Sequence, residues 1–67
     1  MKILKEYNID MPESSTTYKT ILSITKTNIV IKFSGLSLKK KTQRIPLSYI
    51  ENHPFARNGW KYEIVEM

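Results

Sequence analysis

Residues 18–33, YKTILSITKTNIVIKF, decide the fold of this 67-residue chain. Both ends of the stretch are rich in β-branched residues and alternate apolar with polar side chains, a pattern typical of strands. The four residues between them, TKTN at 25–28, have the composition of a turn, and their asparagine tolerates the left-handed conformation that such loops often require. The stretch therefore predicts a β-hairpin whose second strand points Ile29, Ile31 and Phe33 inward.

Strand-like composition continues on both sides of this hairpin. The chain holds seventeen β-branched residues and a single alanine, so sheet is favoured over helix. An N-terminal strand is expected to end before Pro12 and to be followed by an internal loop at residues 12–16. After the hairpin, residues 42–45 are expected to return antiparallel. Pro46 then belongs at a strand end or a sheet edge, because proline donates no ladder hydrogen bond.

Two further signals lie in the C-terminal third of the chain. A serine and a glutamate spaced as in a capping box, Ser48 and Glu51, predict one helical turn. The dipeptide Asn58-Gly59 is typical of type I′ turns and predicts a second hairpin that joins residues 55–57 to residues 60–65.

The predicted fold is a single domain of residues 1–67, either all-β or a β-rich α+β fold. Its short strands form a small antiparallel sheet with hairpin connections, curled into a half-barrel or barrel, with at most one short helical turn. A core this small is marginal, so one large-to-small substitution inside it is expected to leave the protein largely unfolded. The predicted core residues are Leu22, Ile24, Ile29, Ile31, Phe33, Ile45, Trp60, Tyr62 and Ile64.

The residue inventory argues against an enzyme. The chain has no cysteine, which excludes disulfides and thiolate zinc sites. Its one histidine, His53, stands beside Pro54 in a polar turn, where an ordinary loop residue is expected. Both glycines are explained by turns, so no glycine-rich phosphate loop is present. We therefore expect no catalytic residues, no metal site and no cofactor.

The net charge of +5 is concentrated in the middle of the chain. Residues 17–45 contain seven basic residues and no acidic one, whereas the segments on either side each carry a small acidic excess. Clustered positive charge attracts phosphates or acidic protein surfaces. The candidate binding residues are Lys19, Lys26, Lys32, Lys39, Lys40, Lys41 and Arg44, with the three consecutive lysines expected at or near a hairpin tip.

Two classes of function follow from this basic stretch. The first is a small non-enzymatic module that binds nucleic acid, with a single strand as the preferred form, through basic residues and aromatic faces on which bases stack. The alternative is a protein-interaction module or small inhibitor, of the kind that phages and mobile elements encode, that docks on an acidic partner. The positions of the lysines relative to exposed aromatic rings distinguish the two classes of function. Lysines that share a surface with exposed aromatic rings favour nucleic acid, and lysines without such rings favour a protein partner.

The remaining expectations concern location and assembly. The N-terminal residues are charged from Lys2 onward and lack the apolar run of a secretion signal. The longest purely apolar run, residues 29–31, is far too short to span a bilayer, so a cytoplasmic protein without membrane contact is expected. Short strands have open edges that a second copy could cover, so the sequence leaves a monomer and a twofold homodimer both open.

Overall fold

The computed structural model describes residues 1–32 and 41–67, which form one five-stranded antiparallel sheet. The strands are β1 (Lys2–Asn8), β2 (Thr17–Ile24), β3 (Asn28–Lys32), β4 (Thr42–Pro46) and β5 (Trp60–Glu66). Across the sheet they follow the order β4-β3-β2-β1-β5. The predicted β-rich fold is confirmed, and the sheet is an open one, since within the described residues β4 and β5 remain its two edges.

The hairpin predicted in the middle of the chain is confirmed as the pair β2 and β3. Thr25 fixes its turn, because its N–H donates to the carbonyl of Asn28 (2.8 Å) and its Oγ1 accepts the N–H of Asn28 (3.0 Å). Asn28 is the first residue of β3 and does not adopt the left-handed conformation that the sequence suggested for this loop.

A shift of register within β2 changes which side chains face the core. Ile21 lies opposite Ile31, and after a bulge at the next residue Ile24 lies opposite Ile29. Directly opposite residues share a face of the sheet, so Ile21 and Ile24 both point to the core side. Leu22 points the other way and is 53% exposed, which makes its predicted place in the core wrong. Ile24, at the end of the strand, is also exposed rather than buried.

The core lies between one face of the sheet and the helical turn α2 (Ser48–Glu51). Buried side chains from β1, β3 and β4 meet there. The turn α2 contacts both β4 and β5, so the sheet curves around the core and α2 bridges its two edge strands. The buried apolar residues are Leu4, Ile29, Ile31 and Ile45, and the partly buried residues packed against them are Ile21, Leu47, Ile50, Tyr62 and Ile64.

Most of the predicted core is confirmed. Leu4 is only 1% exposed but was not among the predicted residues, because the other inward positions of β1 are polar. Trp60 is partly buried, and Phe33 lies outside the described residues. As predicted, Ile29, Ile31 and Ile45 are buried, with Tyr62 and Ile64 packed against them.

The helical turn predicted at Ser48 is confirmed, but the capping box is not. Leu47, in place of Ser48, is the cap residue that precedes α2. The carbonyl of Ser48 accepts the N–H of Asn52 (3.0 Å), which closes the single turn.

The second predicted hairpin is wrong. Residues Ala56–Asn58 form a 3₁₀ turn, and Gly59 after it has a φ of 85°. β5 pairs along its whole length with β1, ending with Glu66 opposite Lys2. A type I′ turn needs positive φ at both central residues, and in residues 1–32 and 41–67 only Gly59 has one.

One helical turn, α1 (Pro12–Ser15), occupies the segment that was predicted as an irregular loop. The fixed φ of proline suits the first turn of a helix.

Asn8, whose side chain is buried, connects three elements at this end of the molecule. Its backbone N–H donates to Oγ of Ser15 (2.8 Å), and its Nδ2 donates to the carbonyl of Asn58 (2.8 Å). Asn8 thereby joins the end of β1 to α1 and to the 3₁₀ turn.

The strand β4 runs antiparallel to β3 as predicted, and Pro46 is its last residue at the sheet edge. The lysines Lys39 and Lys40, expected at or near a hairpin tip, lie outside the described residues. In the described ranges, no helix combines the length and the apolar character that crossing a membrane requires.

Candidate functional site

The face of the sheet that points away from the core is the larger of two candidate surfaces, and we call it the outer face. Antiparallel sheets with one covered face usually carry polar side chains on the other. This face carries aromatic, basic and aliphatic side chains together. It consists of Ile3, Lys5 and Tyr7 on β1, Tyr18, Thr20 and Leu22 on β2, Val30 and Lys32 on β3, Thr42 and Arg44 on β4, and Lys61, Glu63 and Val65 on β5.

Two tyrosines stand next to one lysine on the outer face. Tyr18 is 57% exposed and lies directly opposite Lys5. Tyr7 is two residues from Lys5 on the same strand, and Nζ of Lys5 lies 5.0 Å from the centroid of the Tyr7 ring. This distance is within the range of cation–π attraction. The outer face therefore presents aromatic rings and a cation within one small area.

Basic residues outnumber acidic ones on the outer face. Lys61 lies on β5, directly opposite Tyr7. Lys32 and Arg44 are diagonal neighbours on β3 and β4, a spacing across which long side chains reach one another. Together with Lys5 these residues give the described part of the face four bases against a single acid, Glu63. A phosphate that approaches this surface meets a positive field.

The structure brings only part of the predicted basic stretch to the outer face. Lys32 and Arg44 lie on it, and the exposed Lys41 directly precedes β4. Lys19 lies opposite Leu4 and so belongs to the core side of the sheet, where it is partly buried.

The remaining predicted residues are separate from this face or are not described. Lys26 is exposed in the loop between β2 and β3. Lys39 and Lys40 fall among residues 33–40, outside the described part of the chain.

Sequence reasoning did not assign Lys5 and Lys61 to the basic surface. Each lies in a segment with a small acidic excess, and only the pairing of β1 with β5 places them on one face. The spacing along β1 could have revealed Lys5. It lies two residues from Ile3 and two residues from Tyr7, so the three side chains share one face of the strand.

A second cluster lies on the core side of the sheet, around His53. This residue lies outside the helices and strands, as predicted for a loop residue, but it is only 5% exposed, which the sequence did not predict. Its Nε2 lies 2.5 Å from Oε2 of Glu6, and its Nδ1 accepts the N–H of Phe55 (2.9 Å). Because Nδ1 accepts a hydrogen bond and carries no proton, the hydrogen on the ring sits on Nε2, which donates to Glu6. Both ring nitrogens are thus engaged within the chain.

Three aromatic rings surround His53. The centroid of its ring lies 4.2 Å from that of Tyr62, 5.9 Å from that of Phe55 and 6.3 Å from that of Trp60. Burial raises the pKa of Tyr62 to about 12, and the negative charge of Glu6 and hydrogen bonding to its carboxylate add to that rise. Glu6 and Tyr62 are directly opposite each other on β1 and β5, which explains their proximity.

An open cleft of about 400 Å³ adjoins this cluster. We call it the aromatic cleft; its lining residues are Glu6, His53, Phe55, Asn58 and Trp60. Within residues 1–32 and 41–67, no three histidine, aspartate or glutamate side chains come together in the way that a metal ion would need.

Comparison with known proteins finds no protein-family model that matches this chain, and no curated protein or solved structure that matches it significantly. Function therefore has to be inferred from the geometry of the two surfaces.

Proposed function

We propose that the protein is a binding module that holds single-stranded nucleic acid on the outer face of its sheet. The observation that carries this proposal is the exposed ring of Tyr18 directly opposite Lys5, with the ring of Tyr7 next to the same lysine. Single-strand binders combine aromatic faces for base stacking with basic groups for the backbone. The outer face offers both within a few ångströms.

A single strand suits this surface better than a duplex does. The bases of a single strand can turn toward a sheet and stack on its aromatic side chains, as happens in sheet-based RNA-binding domains. A duplex keeps its bases stacked on each other and is entered through a groove by a protruding helix or ribbon. The helical turns of the described residues are only three or four residues long, too short to act as such a helix.

The placement of the lysines also bears on the alternative, an acidic protein partner. Lys32 and Lys61 both project from the face opposite Trp60. If that face held lysines alone, an acidic protein would be the better partner. Tyr7 and Tyr18 stand among these lysines, and this supports the nucleic-acid proposal.

A titration of labelled oligonucleotides, single-stranded and duplex, at two salt concentrations tests the proposal. We expect tighter binding to the single strand, with log affinity falling against log salt by about 0.7 for each phosphate neutralised. Tyr18→Ala is expected to remove about 1–3 kcal/mol of binding free energy, the usual value of one stacked base. Tyr49→Ala is the matched control, because Tyr49 is an exposed tyrosine on α2, away from the outer face.

Two results would overturn the proposal. One is the absence of oligonucleotide binding at low salt, and the second is equal affinity of wild type and Tyr18→Ala. Binding of an acidic polypeptide in place of the oligonucleotides would point to the protein-partner alternative.

A further inference from the structure

We propose that the aromatic cleft is a second binding site, and that it takes a methylated ammonium group such as the head of a trimethylated lysine or of choline. The cleft opens on the core side of the sheet, because Glu6 shares the inward parity of Leu4 on β1, whereas Lys5 and Tyr7 lie on the outer face. The inference is therefore independent of nucleic-acid binding by the outer face.

The walls of the cleft are aromatic and one of them is unusually exposed. Phe55 is 61% exposed, which is a high value for a phenylalanine, and the core of this small protein contains few large side chains. Trp60 is partly buried, and its ring, like that of Phe55, lies near the His53 ring and lines the cleft. The faces of such rings carry negative electrostatic potential, which attracts organic cations.

Hydrogen bonds fix the backbone of both wall residues before any ligand arrives. The N–H of Phe55 donates to Nδ1 of His53 (2.9 Å), and the N–H of Trp60 donates to the carbonyl of Phe55 (3.4 Å). A site whose walls are already ordered loses less conformational entropy when it binds.

The charge of the cleft also favours a cation. Among the residues that the structure describes, five line the cleft; Glu6 is the acidic one of them, and none of the five is a lysine or arginine. His53 is in its neutral form, because Nδ1 accepts a hydrogen bond and leaves one proton on the ring. The lining therefore carries one negative charge in a protein whose net charge is +5.

Existing hydrogen bonds select the kind of cation. A guanidinium group binds a carboxylate best through two parallel hydrogen bonds, which need both oxygens free. One oxygen of Glu6 already accepts the N–H of His53, and Tyr62 stands directly opposite on β5 beside the same carboxylate. A methylated ammonium group needs no such pair of acceptors, because charge and ring faces attract it from any direction.

Trp60 is the one tryptophan in the sequence, so its fluorescence reports directly on the cleft. We would titrate the full chain with choline and with N-acetyl-trimethyllysine amide, and follow backbone amide NMR shifts in parallel. The neutral isostere 3,3-dimethylbutanol has the shape of choline without its charge. We expect both cations to bind saturably and roughly tenfold more tightly than the isostere, within the range of cation–π strengths. The tighter of the two cations identifies the source of the group.

Two variants examine the roles of the wall and of the charge. Phe55→Leu removes the exposed ring, and Glu6→Gln removes the charge while it keeps an acceptor for His53; each is expected to weaken cation binding by about tenfold. Tyr18→Leu is the matched control, because it removes an exposed ring of the outer face and is expected to leave cation affinity unchanged. Circular dichroism confirms that each variant is folded.

The inference is overturned if the neutral isostere binds as tightly as the cations, if neither cation binds saturably, or if a folded Phe55→Leu protein keeps the wild-type affinity. Loss of oligonucleotide binding alone leaves it standing, because that result concerns the outer face.

Discussion

Ile21 and Ile24 face the same side of the sheet, although strict alternation along a strand would place them on opposite sides. They lie opposite Ile31 and Ile29, which are both completely buried. The bulge between them inserts one extra residue, Leu22, and so restores an apolar side chain to the core side at the end of β2. Leu22 lies on the outer face because it directly follows the inward-facing Ile21, and the bulge turns Ile24 back to the core side.

Leu4 and Leu22 offer a matched pair that tests this arrangement. Leu4→Ala opens a cavity in the core and is expected to lower the free energy of unfolding by about 2–5 kcal/mol. Leu22→Ala, at an exposed position, is expected to change it by less than ~0.5 kcal/mol. Urea denaturation followed by circular dichroism measures both. Equal losses in the two variants would contradict the assignment of faces.

Gly59 occupies a position that other residues fit poorly. Its φ is 85°, and a Cβ placed there would lie 3.2 Å from Oδ1 of Asn8 and 3.2 Å from Cγ1 of Ile9. Gly59→Ala is expected to lower the free energy of unfolding by more than ~1 kcal/mol. The strain of a left-handed backbone and the close contacts of the added Cβ both destabilise the folded protein. Thermal melting measures the loss. A variant as stable as wild type would show that the loop can relax.

The stability of the protein is expected to depend on the hydrogen bond between His53 and Glu6. Glu6→Leu leaves the buried Nε2–H of His53 without its acceptor, and we expect a loss of about 1–3 kcal/mol. Glu6→Gln keeps an oxygen that can accept this hydrogen bond, so its loss is expected to be smaller. Denaturant unfolding of the two variants side by side gives the comparison, and the reverse order would refute the proposed hydrogen-bond role.

Stability is expected to fall in alkaline solution because of Tyr62. Its pKa of about 12 in the folded protein is higher than the ordinary value of 10.0, so between these values the unfolded chain loses the phenolic proton first. The contribution of Tyr62 is therefore complete below pH ~10 and disappears as the pH rises toward 12. Melting temperatures measured across this range should fall less steeply for Tyr62→Phe. Tyr18→Phe, on the outer face, is the control that should follow wild type.

Local pattern was sufficient for the central part of the fold. The hairpin of β2 and β3, the return of β4 and the burial of Ile29, Ile31 and Ile45 all follow from alternation and from turn composition. Each of these features depends on residues close together in the chain, which is where sequence patterns are most informative.

The features that were not predicted depend on distant residues or on the bulge. Pairing of β5 with β1 overrode the turn preference of Asn58-Gly59. The burial of His53 depends on Glu6, which is far from it in the sequence and which looked like one more surface acid. Period-two reasoning also has no means of locating the extra residue at Leu22.

The pairing of β5 with β1 has a consequence for the order of folding. It brings the two ends of the described chain together, with Lys2 opposite Glu66, whereas the pairs β1–β2, β2–β3 and β3–β4 join neighbours in sequence. Contacts between distant residues close large loops and form slowly. The central meander can therefore assemble first, and until the last strand arrives one edge of β1 is an unpaired template for other chains. The speed with which β5 pairs sets how long the edge of β1 in each newly made molecule is open to other chains.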